Sequence, residues 1–174
     1  ALLAWLEAQN DPLAECFFLV ADYQAATTHA DNPAFLRQAI KDVVLDMLSV
    51  GLDPRLPNVN FVLQSEVKGR ADLSLYFDLL ASYNEILDIP TIKSELEILK
   101  LRKVKTTMSF VRYPVDEVAD VYSISPKDIA GNELLVPAGA DQDPLLEGAR
   151  KLARDFNEKY GRDLFRPCHA TGSK

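Results

Sequence analysis

The amino-acid sequence predicts an α/β protein with an open, mostly parallel sheet and helices packed around it. Two short, continuous apolar runs, residues 15–22 and 59–63, are typical of strands that are buried on both faces of a sheet. Each run precedes a segment whose apolar side chains recur at helical spacing. Because alternating strands and helices form parallel sheets, we expect a ligand crevice beyond the carboxyl ends of the strands.

In the first half of the chain, local signals mark where helices begin and end. Asn32-Pro33 supplies a capping residue and a first-turn proline for a helix that Gly51 ends. Helical periodicity continues through residues 71–87, and residues 89–105 resemble a surface helix rather than a buried strand. The opening residues, 1–6, fit the body of an amphipathic helix.

The second half continues the alternation of helix and strand. We expect a short helix at residues 114–122, a turn at 128–133, a buried strand at 134–137 and a helix from Asp143-Pro144 to about Tyr160-Gly161. Three places then follow predicted strand ends and lie near the expected crevice: Asp22, Gln64 and residues 139–142.

Composition excludes several classes of protein. The chain has 174 residues, of which 48% are hydrophobic and 26% charged, so it is globular rather than disordered or fibrous. The formal net charge of −7 argues against a surface built mainly to bind nucleic-acid backbones. The longest apolar run, residues 16–21, is too short to span a membrane. Cys16 and Cys168 fit no disulfide framework or zinc spacing, which favours a cytoplasmic location.

The sequence lacks two common nucleotide-binding motifs, the Walker phosphate loop and GxGxxG. With only His29 and His169, it offers little material for a histidine-based triad or a multi-histidine metal site. We therefore expect no metal site in this sequence.

Three segments carry a family resemblance. VADYQAAT at residues 20–27, YPVDEVAD at 113–120 and VPAGADQ at 136–142 resemble, in this order, inner motifs of bacterial tryptophanyl-tRNA synthetases. Two supporting segments, GLDP at 51–54 and QSEV at 64–67, lie between them in the same order as in the family. The resemblance covers nearly the whole chain and identifies it with the central part of the catalytic domain, between the HIGH and KMSKS signatures.

The resemblance implies a class I synthetase catalytic domain with a Rossmann-like sheet. Residues 1–174 would form an incomplete catalytic domain, and residues 70–105, approximately, would be a helical connective insertion within it. Such an enzyme activates tryptophan with ATP and Mg²⁺, transfers it to tRNA and forms a homodimer. Since the two signatures that bind ATP phosphates lie outside this sequence, the chain alone is not expected to activate tryptophan.

The same resemblance implies the residues that bind the amino acid. Asp120 is similar to the acid that accepts the indole N–H, which is a donor only. Tyr113 and Gln142 resemble the pair that holds the α-amino group. Gln24, where many relatives carry histidine, and Glu117 would complete the substrate-binding set. From the residues alone, Asp120 could equally be an exposed aspartate on a short helix, and Tyr113 a core aromatic.

ATP would be contacted by the third segment. Gly139 and Asp141 resemble the residues that approach the adenosine, where a glycine permits close backbone contact and a carboxylate can bind ribose hydroxyls. Asp141 could instead serve the start of the following helix, although Asp143, directly before Pro144, suits the capping role better.

Two departures from the family pattern concern the pocket and its entrance. Asp116 and Glu117 add two acids beside the expected indole pocket, and Arg112 could pair with one of them. The segment between Asp120 and Gly139 is longer than in the family.

Alternative functions remain open from the sequence. A tyrosyl-tRNA synthetase has the same architecture, although Ala119 before Asp120 favours the tryptophan enzymes. A non-catalytic synthetase-like binding module and an unrelated nucleotide-binding α/β domain are the other candidates. The apolar stripe within residues 71–99 suits either a dimer interface or the intramolecular core.

Overall fold

The computed structural model describes residues 2–124, 133–139 and 142–170. The chain divides into two compact units, Ala1–Val67 and Lys68–Lys174. Each unit contains one pair of parallel strands, which confirms the predicted parallel pairing.

The first unit alternates helices and strands as predicted. Its elements are α1 (Leu2–Gln9), β1 (Cys16–Val20), α2 (Asp22–His29), α3 (Pro33–Ser49) and β2 (Val59–Leu63), followed by a single 3₁₀ turn at Gln64–Glu66. The register pairs Cys16 with Val59 and Val20 with Leu63, so that β1 and β2 end side by side.

The residues predicted to begin and end α3 do so in the structure. The Asn32 side chain accepts a hydrogen bond from the Phe35 backbone N–H at 3.1 Å, and Pro33 occupies the first turn. After the helix, Gly51 has a φ angle of +102°, a conformation that L side chains rarely adopt. The apolar face of α3 then packs against β1, with Met47 and Phe18 buried in the same core.

The second unit is mostly helical. Its elements are α4 (Arg70–Asp78), α5 (Tyr83–Asp88), α6 (Pro90–Leu101), α7 (Met108–Ser123), β3 (Leu134–Val136), α8 (Asp143–Tyr160) and β4 (Cys168–Ala170). Its core lies where α4, α7 and α8 meet, with Phe77, Ala119 and Leu146 almost completely buried. Gly161, with a φ angle of +62°, ends α8 as predicted.

Two predicted helix boundaries are wrong. The single helix expected over residues 71–87 is interrupted, because Ser82 is extended, with a ψ angle of 131°, before α5 begins. The helix predicted at residues 114–122 begins earlier, at Met108, where the Thr107 hydroxyl accepts a hydrogen bond from the Phe110 N–H. Pro114 therefore lies buried inside the helix.

The sequence prediction also missed α2 and β4. The turn expected at residues 128–133 lies almost entirely outside the described residues.

In the part of the chain that the structure describes, no helix is both long and apolar enough to cross a membrane.

Candidate functional site

One side of α7 carries three of the predicted substrate-binding residues. Tyr113, Glu117 and Asp120 are spaced four and three positions apart, which places their side chains along one side of a helix. The Thr107 hydroxyl caps the first turn of this helix by accepting a hydrogen bond from the Phe110 backbone N–H at 3.3 Å. The helix therefore presents a phenol and two carboxyl groups as one row.

Asp120 is held by an arginine that the sequence analysis did not single out. The Nε of Arg70, at the start of α4, lies 2.5 Å from Oδ1 of Asp120. The Asp120 side chain is only 13% exposed and that of Arg70 only 6% exposed. The interpretation of Asp120 as an exposed aspartate on a short helix is therefore wrong.

This ion pair belongs to a larger network, here called the polar ladder. The polar ladder consists of Arg70, Ser74 and Asp78 on α4 and Arg112, Asp116 and Asp120 on α7. On each helix its members are four residues apart, so they stand one above another on the facing sides. The two helices run antiparallel in this contact, because the first member on α4 meets the last on α7.

The middle and the far end of the polar ladder are joined by the hydroxyl of Ser74. Ser74 Oγ donates to Asp116 Oδ1 at 2.6 Å and accepts from Arg112 Nη2 at 2.6 Å. The same Arg112 lies 2.8 Å from Asp78 Oδ2 and 3.3 Å from Asp116 Oδ1. The expected pairing of Arg112 with one of the two extra acids is thereby confirmed, and Asp116 is its partner.

Tyr113 is buried and hydrogen-bonded. Its hydroxyl donates to Glu95 Oε2 of α6 at 3.0 Å, and its ring packs with Phe110 against Ile92. Burial, and secondarily the bond to Glu95, raises the pKa of Tyr113. The interpretation as a core aromatic is therefore confirmed as to burial, and the role toward the α-amino group stays a prediction.

Glu117 is the second acid beside Asp120. Burial raises the pKa of Glu117 to about 7, with a smaller contribution from the negative charge of Asp120. A carboxyl group in this position exists in both protonation states near neutral pH.

The predicted ATP-contacting segment directly precedes α8 in the chain, and its described residues include Gly139 and Gln142. The backbone N–H of Gln142 donates to the carbonyl of Gly139 at 2.9 Å, and Gly139 is exposed. Asp141 lies outside the described residues. Asp143 is the first residue of α8 and not its cap, since Gln142 holds that position without a side-chain cap bond.

Gln24 belongs to the first unit. Its backbone N–H donates to Oε1 of Gln64 at 3.1 Å, and the side chain of Gln64 is buried. Next to it, Asp22 accepts from the Ser65 backbone N–H at 3.0 Å. The carboxyl ends of β1 and β2 are thus tied together by side-chain bonds, which agrees with the expectation that Asp22 and Gln64 follow strand ends.

The structure offers no metal site in the part that it describes. No group of three or more His, Cys, Asp or Glu residues is arranged to hold an ion there. Cys16 and Cys168 are buried free thiols, whereas His169 is exposed.

Sequence reasoning missed Arg70 and Ser74, although one signal was available. Polar side chains recur at a four-residue spacing at residues 70, 74 and 78 and again at 112, 116 and 120, although residues 70 and 112 lie just before the helices predicted at 71–87 and 114–122. Aligned in opposite directions, the two rows set Arg70 opposite Asp120 and Asp78 opposite Arg112, which are the ion pairs that the antiparallel helices form.

Comparison with known proteins identifies the class. A family model described as tRNA synthetases class I (W and Y) matches residues 1–172, so the chain belongs to this family.

The individual relatives are tryptophan enzymes. The chain is 34% identical to the tryptophan–tRNA ligase of Lactococcus lactis over 159 residues, which cover 91% of this chain and 44% of the relative. It is 35% identical to that of Ralstonia nicotianae over 148 residues, which cover 85% of this chain and 34% of the relative. The chain therefore spans less than half the length of these two curated relatives.

Solved structures confirm the predicted α/β, Rossmann-like fold class. The tryptophanyl-tRNA synthetase of Campylobacter jejuni, in complex with ADP and tryptophan, superposes with a TM-score of 0.82 at 24% identity over 100% of this chain and 49% of that one. The enzyme of Mycoplasma pneumoniae gives a TM-score of 0.82 at 24% identity over 99% of this chain and 46% of that one.

Proposed function

We propose that this chain is the central part of the catalytic domain of a tryptophan–tRNA ligase, which joins tryptophan to ATP as an adenylate and transfers it to tRNA. The observation that carries the proposal is the carboxylate of Asp120, which lies on α7, the helix that also carries Tyr113. This carboxylate is only 13% exposed, and Nε of Arg70, on α4, lies 2.5 Å from it. Membership of the W and Y synthetase family and the tryptophan enzymes among the relatives support it.

The chemistry of Asp120 suits tryptophan. An indole N–H donates and never accepts, and a carboxylate accepts at about four lone-pair positions, so Asp120 can serve the indole as well as Arg70. A buried acceptor that loses its donor is costly, which lets such a site reject an apolar mimic strongly. Asp120 would thus select the ring, and the residues around it would exclude water.

The α-amino group of the substrate would be held by Tyr113 and Gln142. A phenol oxygen accepts from an ammonium while it donates its own proton elsewhere, and Tyr113 already donates to Glu95 at 3.0 Å. The direction of that bond therefore leaves the oxygen in the acceptor role that an ammonium requires. Gln24 and Glu117 complete the proposed substrate-binding set.

ATP would be contacted by the segment before α8. Gly139 is exposed there, and its carbonyl accepts a hydrogen bond from the Gln142 backbone N–H at 2.9 Å. Gly139 and Asp141 would approach the adenosine. Mg²⁺ would be bound largely through the nucleotide phosphates, as is usual for this ion.

The remaining expectations extend to the whole protein. We propose a cytoplasmic homodimer that takes tRNA as its second substrate, with residues 70–105 as the connective insertion of a domain covering 1–174. Exposed apolar side chains within that insertion, Leu75, Leu79 and Tyr83, support a protein contact there. Other side chains of the same stripe, Phe77 and Ile92, are buried within the second unit.

The test is amino-acid-dependent exchange of pyrophosphate into ATP. The longest natural polypeptide containing this chain is assayed with tryptophan, with tyrosine and without amino acid. We expect exchange with tryptophan, and a fall of about 100-fold or more in kcat/KM for tryptophan in Asp120→Ala, because the indole loses its acceptor. Asp88→Asn, at an exposed aspartate paired with Lys93, is the matched control and should leave exchange unchanged.

Other outcomes separate the alternatives. Exchange with tyrosine in place of tryptophan would keep the class and overturn the substrate. Absence of exchange with both amino acids, from folded protein of intact mass, would favour a non-catalytic binding module.

A further inference from the structure

Arg70 occupies an unusual place for a charged side chain. It is the first residue of α4, directly after Gly69, whose φ angle of +79° turns the chain into the helix. Its side chain is 6% exposed and points all of its nitrogens at α7. Nε contacts Asp120 Oδ1 at 2.5 Å, Nη2 donates to the Asp116 carbonyl at 3.3 Å, and Nη1 lies 3.5 Å from Asp116 Oδ1.

These contacts fix the guanidinium before any ligand arrives. The Asp116 carbonyl is a backbone atom of α7, so it cannot move without the helix. The Asp116 carboxylate is itself held by the Ser74 hydroxyl at 2.6 Å. A planar guanidinium bound at two of its nitrogens has little freedom left for the third, which is the nitrogen that contacts Asp120.

Stability alone does not account for this arrangement. The desolvation of buried ion pairs offsets much of their attraction, and apolar side chains of similar volume often stabilise a helix contact as well or better. The same helix packs apolar side chains against α8, including Val115 and Ala119 against Leu146. A buried polar contact in one face of α7 therefore calls for a role in specificity.

We propose that Arg70 is a positioning residue for substrate recognition, which holds the Asp120 carboxylate in the orientation that accepts the ring N–H of the amino-acid substrate. Arg70 does so through the polar ladder and does not itself touch the substrate. The inference rests on the proposed function, because it concerns the same binding site. Lysine would not substitute, since its single ammonium cannot reach three acceptors in one plane.

The experiment uses a substrate pair that differs only at the ring donor. Tryptophan is compared with β-(3-benzothienyl)alanine, in which sulfur replaces the indole N–H, in pyrophosphate exchange by the longest natural polypeptide that contains this chain. The measured quantity is the preference, the ratio of kcat/KM for the two amino acids. Arg70→Met, Arg70→Lys and the wild type are compared, each checked for folding by its thermal melt.

We expect Arg70→Met to lower kcat/KM for tryptophan about 50-fold and to change that for the analogue less than about threefold, because only tryptophan uses the carboxylate. The preference should collapse and the KM for ATP should stay within about twofold. Arg70→Lys, which keeps the charge, should lose about tenfold in preference, and it carries the test if Arg70→Met does not fold. The matched control is Arg55→Met, which breaks an exposed Arg–Asp pair elsewhere and should keep the preference.

A fall in kcat/KM by the same factor for both amino acids would show a merely structural role and overturn the inference, with the proposed function intact. An unchanged preference in both Arg70 variants would overturn it as well. If the wild type shows no exchange with tryptophan, the proposed function fails first, and the inference fails with it.

Discussion

Helix α7 makes two contacts of opposite character within the second unit. Toward α8 it presents apolar side chains, with Val118 and Ala119 buried against Leu146 and Ala149. Toward α4 it presents the polar ladder, in which carboxylates meet Arg70 and Ser74, next to an apolar contact between Tyr122 of α7 and Phe77 of α4. One helix thus shows what each kind of contact can contribute.

The difference separates stability from orientation. Apolar burial is favourable in proportion to area and has little directional preference, so the contact with α8 holds the helices together. Hydrogen bonds to charged groups depend strongly on geometry, and their net free energy is only a fraction of their strength in an apolar medium, because the same groups bind water in the unfolded chain. The polar ladder is therefore suited to set the direction of a carboxylate, and the apolar contact to stabilise the fold.

The largest effect should come from the apolar contact. Leu146 on α8 is 1% exposed and lies in the same apolar core as Val118 and Ala119 of α7. Leu146→Ala should lower the free energy of unfolding by about 4 kcal/mol, since it removes buried area and leaves a cavity. Urea denaturation measures the change, with Leu164→Ala, at a side chain 56% exposed, as a control that should stay within about 0.5 kcal/mol. A loss below about 1 kcal/mol would contradict the role given to this contact.

A pH-dependent effect of comparable size should come from Glu117. Its pKa in the folded chain, about 7, lies above the ordinary value of 4.5, so the folded state binds the proton more tightly than the unfolded state. The stabilisation from this group is complete below about pH 4.5 and is lost as the pH rises through about 7. This rise in the pKa of Glu117 corresponds to a loss of about 3 kcal/mol in the free energy of unfolding at high pH.

Glu117→Gln should therefore match the wild type near pH 4 and be more stable than it at pH 8, by up to about 3 kcal/mol. Urea denaturation across this pH range measures the difference. Glu97→Gln, at an exposed glutamate of α6, is the control. Equal stabilities of wild type and Glu117→Gln at pH 8 would show that the carboxyl group is better solvated than its burial indicates.

Local signals explain which parts of the fold were predictable. The start of α3 follows from Asn32 and Pro33 alone, because a cap and a first-turn proline act within one turn. The start of α7 does not, since Pro114 resembles a first-turn proline but lies in the helix interior, where tertiary packing buries it. Where local signals are ambiguous, the packing of the helices determines where a helix begins.

The candidate site shows the same limit. Asp120 and Tyr113 were named from the family resemblance, but the helix predicted at 114–122 excluded Tyr113, and only the structure places both residues on α7. Arg70 could not be named in that way, because its partner is 50 residues away and the contact depends on how α4 packs on α7. The repeated four-residue spacing of both polar rows was visible, but only the packing of the helices shows that they face each other.

The smallest effect should come from the middle of the polar ladder. Ser74 is 1% exposed, and its hydroxyl joins Arg112 to Asp116. In Ser74→Ala both charged partners keep other contacts, Arg112 with Asp78 at 2.8 Å and Asp116 with Arg70 at 3.5 Å, so neither is left buried and unpaired. We therefore expect a loss of only about 1 kcal/mol in the free energy of unfolding. Ser94→Ala, at an exposed serine that bonds the Thr91 carbonyl, is the matched control. A loss above about 3 kcal/mol would place the polar ladder beside the apolar contact as a source of stability, and the division between the two faces of α7 would no longer hold.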